Sequence, residues 1–168
     1  MITLRQWIEK CFTFKYISNF SIIICILAYY MNAIDIVFVL APLIITNLIL
    51  ILVLEYIDLD KLIYNVFRND NITRDELHNI RLPFLILNTL WHLLPVIWLY
   101  YIYTTNNLIY IYKPNFMGVF LQGCIICLIY FYFCSKNLVY GNINYLMYLI
   151  LYFILLLSIC SYLYIYTI

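Results

Sequence analysis

Charge is what this sequence of 168 residues has least of: nine Lys and Arg with eight Asp and Glu make 10% of it, against 67% hydrophobic residues. A soluble domain carries about a quarter charged residues, and a chain so poor in charge cannot cover a surface that faces water. That excludes a soluble globular protein and points to a membrane protein. The chain is also too short for a membrane bundle plus a separate soluble domain, so a single membrane domain over residues 1–168 is expected. Net charge is +1, and no basic run is dense enough to track phosphates, which excludes nucleic acid as a partner.

Other absences narrow the reading. No internal repeat is present, which argues against a transporter built of two related halves. Glycine and proline number three and four, and Ala is scarce too, whereas Ile, Tyr, Asn, Phe and Leu abound. Since the rare residues have G/C-rich codons, an A/T-rich genome is expected, and part of the excess in the 19 tyrosines then reflects codon bias. Of the six cysteines, Cys25, Cys124, Cys127, Cys134 and Cys160 lie within or at the edge of apolar runs, where cysteine behaves as a small hydrophobe; Cys11 lies in the N-terminal segment. Cys124 and Cys127 share a helix face, but a tetrahedral metal site needs more ligands and no second pair follows, so packing is expected, with no metal and no cofactor.

What is present is a series of membrane-length runs. Leu4, Trp7, Ile8, Cys11 and Phe12 follow a helical period beside Arg5, Glu9 and Lys10, which predicts a short amphipathic helix in the headgroup region. The apolar run that follows is longer than a signal-peptide core and lacks a small-residue cleavage site, so it is expected to remain as an anchor. From Tyr16 to Leu54 the chain is nearly uncharged and would make a helix of about 58 Å, twice a hydrocarbon core of about 30 Å. It must turn back at Asn32-Ala33-Ile34-Asp35, giving spans at 16–33 and 36–54, with Asp35 at the solvated tip. Pro42 is expected to bend the second span, with Thr46 and Asn47 satisfying the freed backbone groups.

Residues 55–81 form the one long polar segment. Leu59, Leu62, Ile63, Val66 and Phe67 repeat at helical spacing beside Asp58, Asp60, Lys61 and Arg68, a second amphipathic helix along the membrane surface. Asn69-Asp70-Asn71 breaks it, and Thr73-x-x-Glu76 has the spacing of a capping box that starts a new helix. This helix either ends near Arg81 or kinks at Pro83 into a third span, 83–103. His78 reads as an ordinary surface histidine. The third span ends in Trp98, Tyr100, Tyr101 and Tyr103, an interfacial belt. A fourth span, 116–135, carries Gly118, Gln122 and Gly123, small residues that let helices approach. The fifth, 145–166, carries Tyr145, Tyr148 and Tyr152 on one face, read as a packing stripe.

The architecture expected is all-α: a polytopic membrane helix bundle of about five transmembrane helices plus short amphipathic interfacial helices. Placing the N-terminus in the cytosol puts Arg5, Lys10, Lys15, Lys61, Arg68, Arg74, Arg81 and Lys136 on the cytosolic side and leaves only Lys113 outside, as the positive-inside rule requires. The C-terminus is then non-cytosolic. The expected partners are the lipid bilayer and other membrane proteins.

Chemistry gathers in one stretch, Asn88-Thr89-Leu90-Trp91-His92-Leu93-Leu94-Pro95. Asn88 and His92 share a helix face one turn apart, and Pro95 leaves the carbonyl of Trp91 without its usual N–H. An intramembrane histidine suggests function. As general base it would take a proton from a hydroxyl, with the Asn88 amide as a donor to the oxyanion. Alternatively, neutral His92 bonds to Asn47, Gln122 or a free carbonyl and holds the bundle together.

Asn88, His92 and Pro95 resemble one membrane segment of the androgen-induced family of multi-span lipid hydrolases, in which an intramembrane histidine assists a threonine nucleophile. The resemblance covers one helix of five and implies His92 as base, with Ser18 near the place of the nucleophile. Leu93 stands where a threonine usually follows the histidine, and His92 and Pro95 are closer together than in that family. Leu90-Trp91-His92 is also similar to alkaline ceramidase-type hydrolases, which need several zinc-binding histidines where this chain has two in all. In composition and short spans the chain looks like the small polytopic membrane proteins of giant DNA viruses, which implies a membrane location alone. Three function classes stay open: a non-enzymatic membrane protein with a structural or interaction role; an intramembrane lipid-ester hydrolase using His92, Asn88 and Ser18; and a small channel or carrier subunit, which would require a continuous polar path.

Overall fold

The computed structural model describes residues 4–11, 16–67, 73–105, 116–133 and 145–166, all-α and without strands among them. The helices are α1 Leu4–Cys11, α2 Ile17–Tyr30, α3 Ile34–Val66, α4 Arg74–Thr105, α5 Phe116–Phe133 and α6 Tyr145–Tyr166. Lys15, Arg68, the Asn69 to Asn71 break, Lys113, Cys134 and Lys136 lie outside the described residues, as do the side chains of Tyr145 and Tyr148.

The turn at Asn32 forms where the spacing predicts it. Asn32 adopts a positive φ of 56°, a conformation Asn tolerates better than most residues. The N–H of Ala33 then reaches back to the carbonyl of Ala28 at 2.8 Å, and that of Asn32 to Tyr29 at 3.1 Å. These two bonds make a Schellman closure, which ends α2 and lets α3 start at Ile34 with Asp35 exposed in its first turn.

Helix α3 is the axis of the bundle: α2, α4, α5 and α6 all pack on it, and α5 packs on α6. Leu40, Leu43 and Ile44 of α3 meet Ile22 and Cys25 of α2, Leu99 of α4, Cys127 of α5, and Tyr152 and Leu156 of α6. The helix has a break at Asp58 (φ −160°, ψ 81°), where the carboxylate accepts the Lys61 N–H at 3.0 Å and so caps a new N-terminus. An apolar helix thus passes end to end into the amphipathic one.

The two amphipathic segments are expected along the membrane surface; the structure also packs them together. Leu59, Leu62, Ile63 and Phe67 are buried with Phe84 of α4. Trp7 of α1 lies with its ring 5.5 Å from Phe67 and 5.9 Å from Phe84. Their apolar faces remove more surface from water against each other than either does alone. Helix α4 opens on the capping box: Thr73 Oγ1 accepts the Glu76 N–H, and Glu76 Oε2 accepts the Thr73 N–H, each at 3.3 Å. It then runs through Pro83 and Pro95 without interruption. Arg81 pairs with Asp60 of α3 at 3.3 Å, and Phe84 is buried, so packing on both sides of Pro83 holds the helix across the missing hydrogen bond.

By length and composition α3 and α4 can each cross a membrane, while α2 and the described parts of α5 and α6 are shorter apolar helices.

Candidate functional site

The buried polar groups collect where α1, α2, α3 and α4 meet. Glu55 ends the apolar part of α3. In sequence it opens the polar segment; in the structure it turns inward and is only 9% exposed. Asn88 Nδ2 donates to Glu55 Oε1 at 2.9 Å and Thr89 Oγ1 to Oε2 at 3.1 Å. Two adjacent residues of α4 therefore engage both carboxylate oxygens, which answers part of the demand that an acid makes when it leaves water.

One turn on, Trp91 Nε1 donates to Asn19 Oδ1 at 2.7 Å, and Asn19 Nδ2 donates to the carbonyl of Cys11 at 2.8 Å. A single amide thereby connects α4, α2 and the end of α1. Burial beside it pushes the Cys11 thiol up to about 12. Deeper in the bundle, Asn47 Nδ2 donates to Ser21 Oγ at 3.4 Å, and Ser21 donates to the carbonyl of Ser18 at 2.9 Å, tying α3 to α2. Thr46 donates to the carbonyl of Pro42 at 2.8 Å. That carbonyl lies one turn below Thr46; the carbonyl deprived by Pro42 is the one at Phe38, so Thr46 and Asn47 do other work than the sequence suggests.

His92 is 4% exposed, and its Nδ1 lies 2.8 Å from the carbonyl of Asn88. Helical side chains lean toward the N-terminus, so the ring reaches the carbonyl one turn below rather than the one that Pro95 frees at Trp91. Nor are Asn47 and Gln122 its partners: Asn47 bonds to Ser21, and Gln122 is exposed. A carbonyl can only accept, so Nδ1 carries the proton and Nε2 presents a lone pair. Nε2 is buried with no hydrogen-bond partner among the described residues.

Ser18, Asn88 and His92 line one cavity of about 30 Å³, walled also by Asn19 and roofed by Cys11, Tyr16, Leu62, Val66 and Phe84. The candidate base, oxyanion donor and nucleophile are thus neighbours. Among the described residues no hydroxyl stands within hydrogen-bond reach of Nε2, and Asn88 already donates to Glu55. A larger apolar groove of about 310 Å³ lies between α2 and α4, lined by Ile22, Ile26, Trp91, Leu94, Pro95 and Trp98 among others. His92 is not part of its wall.

Among the described residues no three His, Cys, Asp or Glu side chains group as metal ligands. Cys127 is buried and Cys124 half-buried in the core with α3 and α6, and His78 is exposed. Glu55, Thr89, Asn19 and the Trp91 indole were not singled out by the sequence as site residues. The signal was there in part, since an acid, an amide and an indole on or beside apolar helices all need partners.

No family model, curated protein or solved structure matches the chain.

Proposed function

We propose that this chain is a multi-pass integral membrane protein with a structural or interaction role and no identifiable catalytic activity. Helices α2 to α6 cross the bilayer five times, with the N-terminus cytosolic and the C-terminus on the other side. The observation that carries the reading is the inverted face of α4. Its polar groups, Asn88, Thr89, the Trp91 indole and His92, turn toward α2 and α3. Leu82, Ile86, Leu87, Leu90, Leu94 and Ile97 turn outward and are exposed. A soluble core helix would be buried along its apolar length; only 17% of the most apolar stretch of α4 is buried, which suits a lipid surround.

Two measurements test it. Protein made in a eukaryotic membrane system is expected to stay without glycan at Asn71-Ile72-Thr73, because residues 55–81 face the cytosol. Glycan at Asn71 would overturn the orientation. Protease protection and reporter fusions between helices should count five crossings.

A second reading, an intramembrane lipid-ester hydrolase, is favoured by Ser18, Asn88 and His92 sharing one cavity. Ser18 Oγ would attack the ester carbonyl as its proton passes to His92 Nε2; the imidazolium would then protonate the leaving alcohol, and water would hydrolyse the acyl-serine. Against it stand the engagement of Asn88 with Glu55 and a cavity too small for an ester. An activity-based probe for serine hydrolases should leave the native protein unlabelled. Labelling that His92→Ala abolishes at equal folded amounts would promote this second reading.

A further inference from the structure

We infer that the cavity beneath α1 is a binding site for one water molecule, which donates a hydrogen bond to His92 Nε2. Three observations converge on it. The tautomer is fixed by the carbonyl of Asn88, 2.8 Å from Nδ1, so the free ring nitrogen can only accept. That acceptor is buried without a protein donor among the described residues, an arrangement that penalises the fold unless a donor reaches it. The cavity at the ring measures about 30 Å³, room enough for a water molecule.

The wall is polar where the water needs it. A buried water makes two to four hydrogen bonds, and the Ser18 hydroxyl, which lines the same cavity, supplies a partner beyond Nε2. Ile51, Leu62, Val66 and Phe84 make the wall apolar on the α3 and α4 side, with Cys11 and Tyr16 completing it. The groove on the far side of Trp91 is ten times larger but lined by apolar and aromatic side chains, so it offers water no comparable seat. With water between them, the base meets a water proton and the Ser18 hydroxyl stays inert. The site rests on the local geometry of α2 and α4, and is independent of the number of membrane crossings.

The test uses the full chain in lipid nanodiscs with isotope-labelled histidine. The sequence has two histidines, so His78→Gln leaves His92 as the only signal. Expected are the Nδ1–H tautomer, an Nε2 shift typical of a hydrogen-bonded acceptor, and magnetisation transfer to the ring at the water frequency. Ser18→Ala should retain all three, and Ser18→Gly serves if that variant does not assemble. The Nε2–H tautomer, or a ring without water transfer, would overturn the site. So would loss of the Nε2 hydrogen bond in both Ser18 variants, since the donor would then be the hydroxyl itself. Should His78→Gln fold poorly, the wild-type chain gives the same answer, because exposed His78 is broadened by a soluble paramagnetic agent and buried His92 is not.

Discussion

The amide of Asn88 donates to a carboxylate oxygen of Glu55 at 2.9 Å, across 33 residues of sequence and from α4 to α3. With Thr89 on the other oxygen, it makes Glu55 a clamp between the two longest helices. Glu55→Ala leaves two donors without this acceptor and should destabilise the bundle by about 1–3 kcal/mol. Glu55→Gln should be milder, since Gln keeps one acceptor and the Thr89 hydroxyl can rotate to accept. A double-mutant cycle of Glu55→Ala with Asn88→Ala, read by reversible unfolding in mixed micelles, should return a coupling of about 1–2 kcal/mol. A coupling near zero would show that the clamp does not hold the helices together.

Asn19 is the hinge pin of α1. It accepts from the Trp91 indole and donates to the Cys11 carbonyl, so Asn19→Leu removes both links while keeping the branched shape of the side chain. The expected result is a loss of about 1–3 kcal/mol and faster amide exchange over residues 4–11, with α3 and α4 little changed. Asn19→Asp should fall between, because a carboxylate keeps the indole bond and cannot donate to the carbonyl. Exchange in α1 as slow as in the native chain would mean that the Trp7 contacts alone seat it.

How far the sequence carried the reading follows from the range of each interaction. The Asn32 turn, the Thr73 capping box and the amphipathic repeat from Leu59 to Phe67 are set by neighbours within a turn or two, and each could be read off locally. The break at Asp58 is equally local, since the Asp58 carboxylate caps the N–H of Lys61, three residues on, although no break was expected there from the sequence. The site was legible only as a face: Asn88 and His92 on one helix. Its partners were not, because Glu55 and Asn19 lie 33 and 72 residues from the groups they bind, and nothing within α4 says which helix will stand opposite. Glu55 was hidden for a further reason. An acid at the end of an apolar run reads as the first residue in water, and only the donors that α4 brings turn it inward.

Cys11, at the end of α1, gives a pH-dependent readout. Burial raises its thiol from 9.0 to about 12. At pH 8 the thiolate fraction therefore falls about a thousandfold below that of an unperturbed thiol, and alkylation should slow accordingly. The stability consequence has a definite sign. Between pH 9 and 12 the unfolded chain releases the proton that the folded chain keeps, so stability is full below pH 9 and declines as pH rises toward 12. Labelling of Cys11 in the folded protein at pH 8, at the rate seen in denaturant, would contradict its partial burial. Asn19→Leu should speed that labelling if it frees α1.

Gly123 reports on the far side of the bundle, where α5 meets both α3 and α6. A Cβ built there would lie 3.3 Å from Leu156 Cδ2 and 3.9 Å from Leu43 Cδ2. The closer atom is the end of a flexible side chain and can shift by a few tenths of an ångström. Gly123→Ala also gains about 0.8–1.0 kcal/mol of helix propensity, which offsets that crowding, so its stability should stay near the native value. Gly123→Val adds branching that Leu156 cannot clear without leaving its rotamer, and overpacking of this kind destabilises by about 1–3 kcal/mol. Unfolding curves for the two variants should therefore diverge, with Val well below Ala. Equal stability of Val and native protein would mean that α5 does not approach α6 this closely.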